Sequence, residues 1–137
     1  MAEQMTHWER VQALLEGQET DRVGVSMWRH FYQSETSAKS LAEAMLAFQA
    51  RFDWDFMKVN PRASYHVEGW GVKVRYQGTD APQVIKTPIR EPGDWLKLEP
   101  LRLDHGVLKE HLDSLELIAD GLKGKVPFLM TVFTPLS

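Results

Sequence analysis

The sequence contains no cysteine among its 137 residues. A chain without cysteine forms no disulfide, offers no thiolate to zinc or to an iron–sulfur cluster, and has no cysteine nucleophile. It also lacks a strong charge of either sign, because its formal net charge is only -3. Its lysines and arginines are scattered along the chain rather than clustered. We therefore expect no nucleic-acid partner, since such proteins carry a basic patch.

Long apolar runs are missing as well. No stretch approaches the roughly 20 residues of a membrane-spanning helix. The start, MAEQMTHWER, carries acidic residues and has no apolar segment of the kind found in signal peptides. We therefore expect no membrane partner and a cytoplasmic location. The composition that remains, 43% hydrophobic and 26% charged, is ordinary for a globular domain.

Three segments have the apolar spacing of amphipathic helices. Thr6 and Glu9 fit a capping box at the start of the first. The second helix is expected to begin at Ser37 or Ser40, and the third to run from about residue 104 to residue 122. The predicted buried faces are Leu41, Met45, Phe48 and Phe52 in the second helix and Leu108, Leu112, Leu115, Ala119 and Leu122 in the third.

Three β-rich runs, at residues 22–28, 56–59 and 125–133, are separated by helical segments. A strand, a helix and a second strand in close succession make a βαβ unit, with parallel strands and a right-handed crossover. Residues 69–90 alternate between apolar and polar side chains around turn residues at 78–80, which predicts an inserted β-hairpin. The predicted class is α/β, with about three parallel strands, crossover helices and this hairpin.

The sequence stops soon after the third β-rich run. A (β/α)₈ barrel needs roughly 250 residues, so this chain would supply the amino-terminal portion of such a barrel. We accordingly expect residues 1–137 to form a single partial domain. A last strand without a covering helix leaves an open sheet edge. The chain is then either a piece of a larger protein or one that self-associates through its open edges.

A family resemblance rests on four stretches in order. The chain contains ERVQALLEGQETDRVGVSMW, DFMKVNPR, the GWGVKV hairpin and KVPFLMTVFTPLS. Together they resemble the amino-terminal part of the uroporphyrinogen decarboxylase family. The resemblance implies a (β/α)₈ barrel that holds a tetrapyrrole or related ligand at the C-terminal face of its strands. Some members decarboxylate uroporphyrinogen without a cofactor, whereas others are methyltransferases that use zinc and pass methyl groups to or from a corrinoid or a thiol.

The chain departs from the decarboxylase motifs that the resemblance implies. After the first strand those enzymes have a Met-Arg-Gln-Ala-Gly-Arg-Tyr type motif, whose arginines hold substrate carboxylates. Here Trp28, Arg29 and Tyr32 lie in matching places and the Gln-Ala-Gly-Arg part is absent. A Ser-Asp pair follows their second strand, but residues 59–62 read Val-Asn-Pro-Arg. The missing aspartate would stabilise the charge on a protonated pyrrole.

These departures favour the methyltransferase branch over decarboxylation of uroporphyrinogen. The zinc ligands implied for that branch would fall beyond Ser137. We therefore expect no metal site and no cofactor within this chain, with zinc and a corrinoid bound only if the full protein is a methyltransferase. The catalytic residues are not identified by the sequence.

The candidate ligand-binding residues follow the first two β-rich runs, because the carboxyl ends of barrel strands face the ligand. They are Arg29, His30, Tyr32, Asn60, Arg62, Tyr65 and His66. We expect a small anionic ligand near Arg29 and Asn60. A plainer interpretation has Arg29 pair with Glu35 or cap a helix, and treats the second group as a polar loop. Trp54, Trp70 and Trp95 are interpreted as core and hairpin packing.

The sequence therefore predicts a uroporphyrinogen decarboxylase-like protein. Its complete barrel would bind an anionic tetrapyrrole-like or methyl-donor ligand for decarboxylation or methyl transfer, and the isolated chain is expected to be inactive. One alternative is a short, non-enzymatic paralogue that acts as a self-associating interaction module. Another is an unrelated small α/β domain that binds no porphyrin.

Overall fold

A computed structural model describes residues 4–134. Its elements are α1 (His7–Leu15), α2 (Ala38–Phe52), β1 (Met57–Val59), α3 (Tyr65–Glu68), β2 (Lys73–Gln77), β3 (Asp80–Lys86), a 3₁₀-helix (Pro92–Lys97), α4 (Gly106–Leu122) and β4 (Phe128–Met130). Within this part of the chain, none of the helices combines the length and the apolar content needed to cross a bilayer. The predicted domain limits, residues 1–3 and 135–137, lie outside the described residues.

The strands β1 and β4 pair in parallel, with Met57 opposite Phe128 and Val59 opposite Met130. The chain between them returns through α4, so these elements form a strand–helix–strand crossover. Helices α2 and α4 pack against each other and share a core with the two strands. The core comprises Leu41, Ala42, Met45, Met57, Val59, Ile118, Leu122 and Val126. The α/β class with parallel strands and crossover helices is thereby confirmed.

The hairpin predicted after the second β-rich run is present as the antiparallel strands β2 and β3. Residues 78 and 79 connect them, and Gly78 has a φ of 57°, in the left-handed region that glycine adopts without a steric penalty. Pro82 lies within β3 and is tolerated because each strand of this hairpin has an unpaired edge.

The prediction of a strand at residues 22–28 was wrong. These residues form no ladder, and separate hydrogen bonds join them to the segment that precedes β1. The Asp55 amide donates to the Val25 carbonyl at 2.9 Å, and the Ser26 hydroxyl donates to the Phe56 carbonyl at 2.7 Å. The Val25 amide donates to the Asp55 carboxylate at 2.7 Å. Because a side-chain oxygen takes this amide, it is not available to a strand ladder.

The start of α1 agrees with its predicted capping box, in which Thr6 and Glu9 bond to each other's backbone amides. Helix α2 begins after Ser37, whose hydroxyl accepts from the Ser40 amide, so Ser40 is not the cap. Of its predicted buried face, Leu41 and Met45 are buried, whereas Phe52 is 46% exposed. Phe52 stacks on Trp54 at 5.3 Å between ring centroids, outside the main core.

The predicted buried face of α4 was also wrong in part. The residues that the fold buries are His111, Ser114, Ile118 and Leu122, while Leu112 is 43% exposed and Ala119 is exposed. The contact with α2 is made by a face that includes small residues. A Cβ on Gly121 would lie 2.3 Å from Leu46 Cδ1, so a larger side chain there would separate the helices unless Leu46 moved.

A network of ion pairs holds α1 against the amino-terminal end of β1. Arg10, only 1% exposed, bonds through Nη1 to Asp55 at 2.6 Å and through Nε to Asp21 at 2.7 Å. Arg22 adds a bidentate pair with Asp55, with both distances 2.7 Å. Burial alone would raise the pKa of Asp55, but bonds from Arg22, the Val25 amide and Arg10 outweigh it and lower the pKa to about 2.

Candidate functional site

An apolar cavity lies where the chain leaves the carboxyl ends of β1 and β4. Its volume is about 690 Å³, which is in the range of small-molecule sites. Its walls come from α3 and the residues after it, the base of the hairpin, the 3₁₀-helix and the segment after β4. The lining residues are Tyr65, His66, Val67, Trp70, Val72, Thr87, Pro88, Ile89, Trp95, Leu98, Val132, Phe133 and Thr134.

Two of the predicted site residues, Tyr65 and His66, line this cavity. The Tyr65 hydroxyl accepts from the Phe133 amide at 3.2 Å, and the two rings stack at 5.6 Å. The His66 ring meets the Phe133 ring edge-on at 4.9 Å. These contacts hold α3 against the segment after β4. One wall of the cavity is therefore formed by residues that follow β1 together with residues that follow β4.

His66 contributes a polar ring to this lining. Its Nδ1 is buried and has no hydrogen-bond partner within residues 4–134. Burial lowers the pKa of His66 below its ordinary 6.5, so the ring is neutral at pH 7. A neutral imidazole carries one donor and one acceptor nitrogen, and the tautomer decides which nitrogen donates.

Arg62, another predicted site residue, is engaged by carboxylates. Its guanidinium binds Glu68 through two hydrogen bonds of 2.8 and 2.6 Å and lies 3.3 Å from Glu110. Although burial acts to lower the pKa of Arg62, the bonds to Glu68 raise it overall. Arg62 therefore holds α3 against α4, and its charge is already compensated. Asn60, next to β1, is buried at 3% exposure.

The three upstream candidates, Arg29, His30 and Tyr32, lie around a separate recess of about 80 Å³. Arg29 is exposed and lies over the Phe31 ring at 5.4 Å. The plain expectation that Arg29 pairs with Glu35 was wrong, because His30 Nδ1 lies 2.7 Å from the Glu35 carboxylate instead.

Glu35 connects this recess to the residues that follow β1. It is 1% exposed and accepts hydrogen bonds from the Phe31 amide and the Ala63 amide, each at 3.0 Å. The buried carboxylate thus fixes both the His30 ring and the loop after β1. The ring of Tyr32 stacks on His30 at 4.9 Å with an interplanar angle of 8°.

Several lining residues were missed by the sequence analysis. Trp70 and Trp95 were assigned to packing, yet both line the cavity, and Trp95 is 64% exposed. The Trp70 indole donates to the Glu99 carbonyl at 2.8 Å, which fixes its ring beside the 3₁₀-helix. Val132 and Phe133 were assigned to a third strand that the structure ends at Met130. The apolar character of all four was visible, but their convergence depends on tertiary contacts.

The zinc implied by the family resemblance does not fit the residues that the structure describes. No group of three or more histidine, cysteine, aspartate or glutamate side chains in residues 4–134 could hold a metal ion.

Two of three comparisons with known proteins found a match. The family model described as uroporphyrinogen decarboxylase (URO-D) matches residues 6–137. A search of curated proteins found no match. Among solved structures, the chain is similar to a methyltransferase from Methanosarcina mazei, with a TM-score of 0.68 and 18% sequence identity.

The structural match covers 93% of this chain and 42% of the methyltransferase chain. The chain therefore spans less than half the length of that relative. At this identity the likeness shows the fold alone. It confirms the predicted fold class, in which the described elements are part of a (β/α)₈ barrel.

Proposed function

The chain belongs to the uroporphyrinogen decarboxylase family, and on this premise we propose that it forms part of the ligand-binding face of a methyl-transferring barrel. The ligand would be a small methylated organic compound or the acceptor of its methyl group. The observation that carries the proposal is the apolar cavity at the carboxyl ends of β1 and β4, because barrel enzymes bind their ligands at that face.

The chemistry of the lining supports a methyl donor rather than a tetrapyrrole. A ligand with several carboxylate arms needs arginine or lysine around it. The described lining contains no lysine, arginine, aspartate or glutamate, and the nearby charge of Arg62 is compensated by Glu68 and Glu110. An apolar compound loses little on entering such a cavity, since it gives up few hydrogen bonds to water.

The side chains of this chain would bind and orient that compound. Trp70 and Trp95 provide large apolar surfaces that exclude water. The ring of His66 lines the same cavity and would contact the bound ligand. Zinc or a corrinoid, if the full protein uses either, would have its ligands outside these residues.

The test compares the two reactions of the family in the protein at its natural length. We expect methylated thiol when the protein is supplied with zinc, methylcobalamin and 2-mercaptoethanol, measured by mass spectrometry. We expect no loss of carboxylates from uroporphyrinogen, measured by chromatography of the oxidised porphyrins. Decarboxylation without methyl transfer would contradict the proposal and would indicate that the protein is a decarboxylase.

Two substitutions to tryptophan, one within the 3₁₀-helix and one just after it, test whether the ligand binds in the cavity. Leu98 lines the cavity, whereas Leu96 is 91% exposed and does not line it. Leu98→Trp should fill the cavity and lower kcat/KM by about tenfold or more, which corresponds to roughly 1.4 kcal/mol. The matched variant Leu96→Trp should keep the activity within about twofold. Equal activity in both variants would show that the ligand does not bind in this cavity.

A second function is favoured by a specific observation. Strand β4 has β1 as its partner in the described sheet, so its other edge is unpaired there, and the nearby side chains of Leu129 and Val132 are 48% and 76% exposed. A second copy of the chain could cover this edge and make the protein a self-associating module. Analytical ultracentrifugation would then give one discrete oligomer that Leu129→Lys dissociates, and methyl transfer would be absent.

A further inference from the structure

Lys58 projects from β1 on the side opposite to the helices. Side chains alternate along a strand, and its neighbours Met57 and Val59 are 3% and 0% exposed in the core with α2 and α4. In a (β/α)₈ barrel the helices cover the outside, so the other face of β1 is the barrel interior. Barrel interiors are filled mainly by branched apolar side chains. A lysine at this position breaks that pattern, and such breaks are expected at functional sites.

The positive charge of Lys58 has no counter-ion within residues 4–134. No ion pair or hydrogen bond of its ammonium group occurs there, and the buried carboxylates Glu35 and Asp55 are committed elsewhere. Glu35 bonds to His30 and to two amides. Asp55 bonds to Arg10, Arg22 and an amide. An unpaired ammonium enclosed in a protein interior is destabilising, so an anion at this point would stabilise the closed barrel.

An aromatic surface adjoins the ammonium group. Lys58 Nζ lies 4.0 Å from the centre of the Trp28 ring. The Trp28 ring meets His30 edge-on at 6.2 Å, and His30 in turn stacks on Tyr32. The Glu35 carboxylate contacts Nδ1 of His30 and so holds this ring in place. Trp28 is 52% exposed, so much of its indole is free to contact a ligand. A cation beside exposed aromatic surface is suited to an anion with an apolar body.

We propose that Lys58 and Trp28 form a subsite that binds the carboxylate of an organic ligand on the inward face of β1. The inference rests on the proposed ligand-binding face and adds a carboxylate subsite to it, outside the apolar cavity, whose lining contains neither Lys58 nor Trp28. The ammonium donates to the carboxylate, and the indole contacts the adjoining apolar group. Lys58 was not among the sequence candidates, because it stands in the middle of a short β-rich run rather than after it.

Isothermal titration calorimetry tests the subsite. It measures how tightly the protein at its natural length binds 2-naphthoate and the neutral analogue 2-naphthamide. Lys58→Met keeps the length of the side chain and removes its charge, and Lys58→Arg keeps the charge. Lys39→Met, at a lysine with 82% side-chain exposure on α2, is the matched control for net charge. We expect naphthoate to bind about tenfold more tightly than naphthamide, as for one hydrogen bond between charged groups.

In Lys58→Met that preference should disappear while the affinity for naphthamide stays the same. Lys58→Arg should keep most of the preference, and Lys39→Met all of it. Equal affinities of the wild type for the two compounds, or no binding of naphthoate at millimolar concentration, would overturn the proposal. So would an unchanged preference in Lys58→Met, since an internal carboxylate would then satisfy the lysine. Lys58-dependent binding without methyl transfer would reject the proposed reaction and keep the subsite.

Discussion

Removing the charge of Asp55 should destabilise the fold more than other single changes of equal size. Asp55 is 1% exposed and accepts bonds of 2.6 to 2.7 Å from Arg10, Arg22 and the Val25 amide. In Asp55→Asn the guanidinium of Arg10 stays buried with less compensation. Breaking a buried pair by removing one partner costs about 3–5 kcal/mol, a large share of the roughly 5–15 kcal/mol that stabilises a typical domain.

The effect should depend on pH in a defined direction. The pKa of Asp55 is about 2 in the folded protein, against an ordinary value of 3.8. The folded state thus favours the ionised form, so this stability is fully present above pH 3.8 and is lost as the pH falls towards 2. The shift corresponds to about 2 kcal/mol. The difference between wild type and Asp55→Asn should therefore be large at pH 7 and smaller near pH 2.

Urea unfolding followed by circular dichroism measures this difference as a lower midpoint with an unchanged slope. Asp53→Asn is the matched control, because the Asp53 side chain is 80% exposed and bonds to His7 at the surface. Its φ of 54° suits asparagine as well as aspartate. The control should change the free energy of unfolding by less than about 0.5 kcal/mol. If Asp55→Asn matched the control, the buried ion pairs would not hold α1 in place.

Three further changes have outcomes that follow from the contacts. His111 is buried with neither ring nitrogen bonded inside residues 4–134, and burial lowers its pKa to about 4. Protonation of His111 therefore favours the unfolded chain, and the free energy of unfolding falls as the pH is lowered from 6.5 to 4. His111→Leu should remove this fall, measured by urea unfolding at several pH values across the range. Arg62→Met should lower the free energy of unfolding by about 1–3 kcal/mol, measured the same way, because Glu68 is left unpaired. Thr6→Ala should cost about 1 kcal/mol through loss of the α1 cap, measured by thermal unfolding.

Local signals in the sequence were sufficient for much of the fold. The capping box at Thr6 and Glu9, the glycine turn at residue 78 and the parallel β-rich runs each depend on neighbours along the chain or on periodicity. The prediction of the first strand failed because the Asp55 carboxylate, 30 residues further along the chain, accepts the hydrogen bond of the Val25 amide. No pattern within residues 22–28 contains that information, since it comes from a tertiary contact.

The buried face of α4 shows a second limit. Its leucines suggested one stripe, but the fold buries His111 and Ser114 instead of Leu112. Tyr65 contacts the His111 ring at 4.6 Å, so the segment after β1 determines which side of α4 is covered. For the site, the strand-end rule identified Tyr65 and His66 at the cavity. It could not show that Arg62 is neutralised by Glu110, 48 residues away.

Buried charges are paired before β1, whereas neutral polar atoms without a partner occur on both sides of the strand, with Gln49 Oε1 and Trp54 Nε1 before it. Before the strand, Arg10 and Asp55 are buried and matched by opposite charges. Within it and after it, the ammonium of Lys58 lacks a counter-ion and Nδ1 of His66 lacks a partner in the described chain. An unpaired charge lowers stability more than an unpaired neutral group. The difference in charge pairing agrees with the division in barrels between a stabilising amino-terminal end and a ligand-binding carboxyl end, and it is independent of which reaction the protein performs.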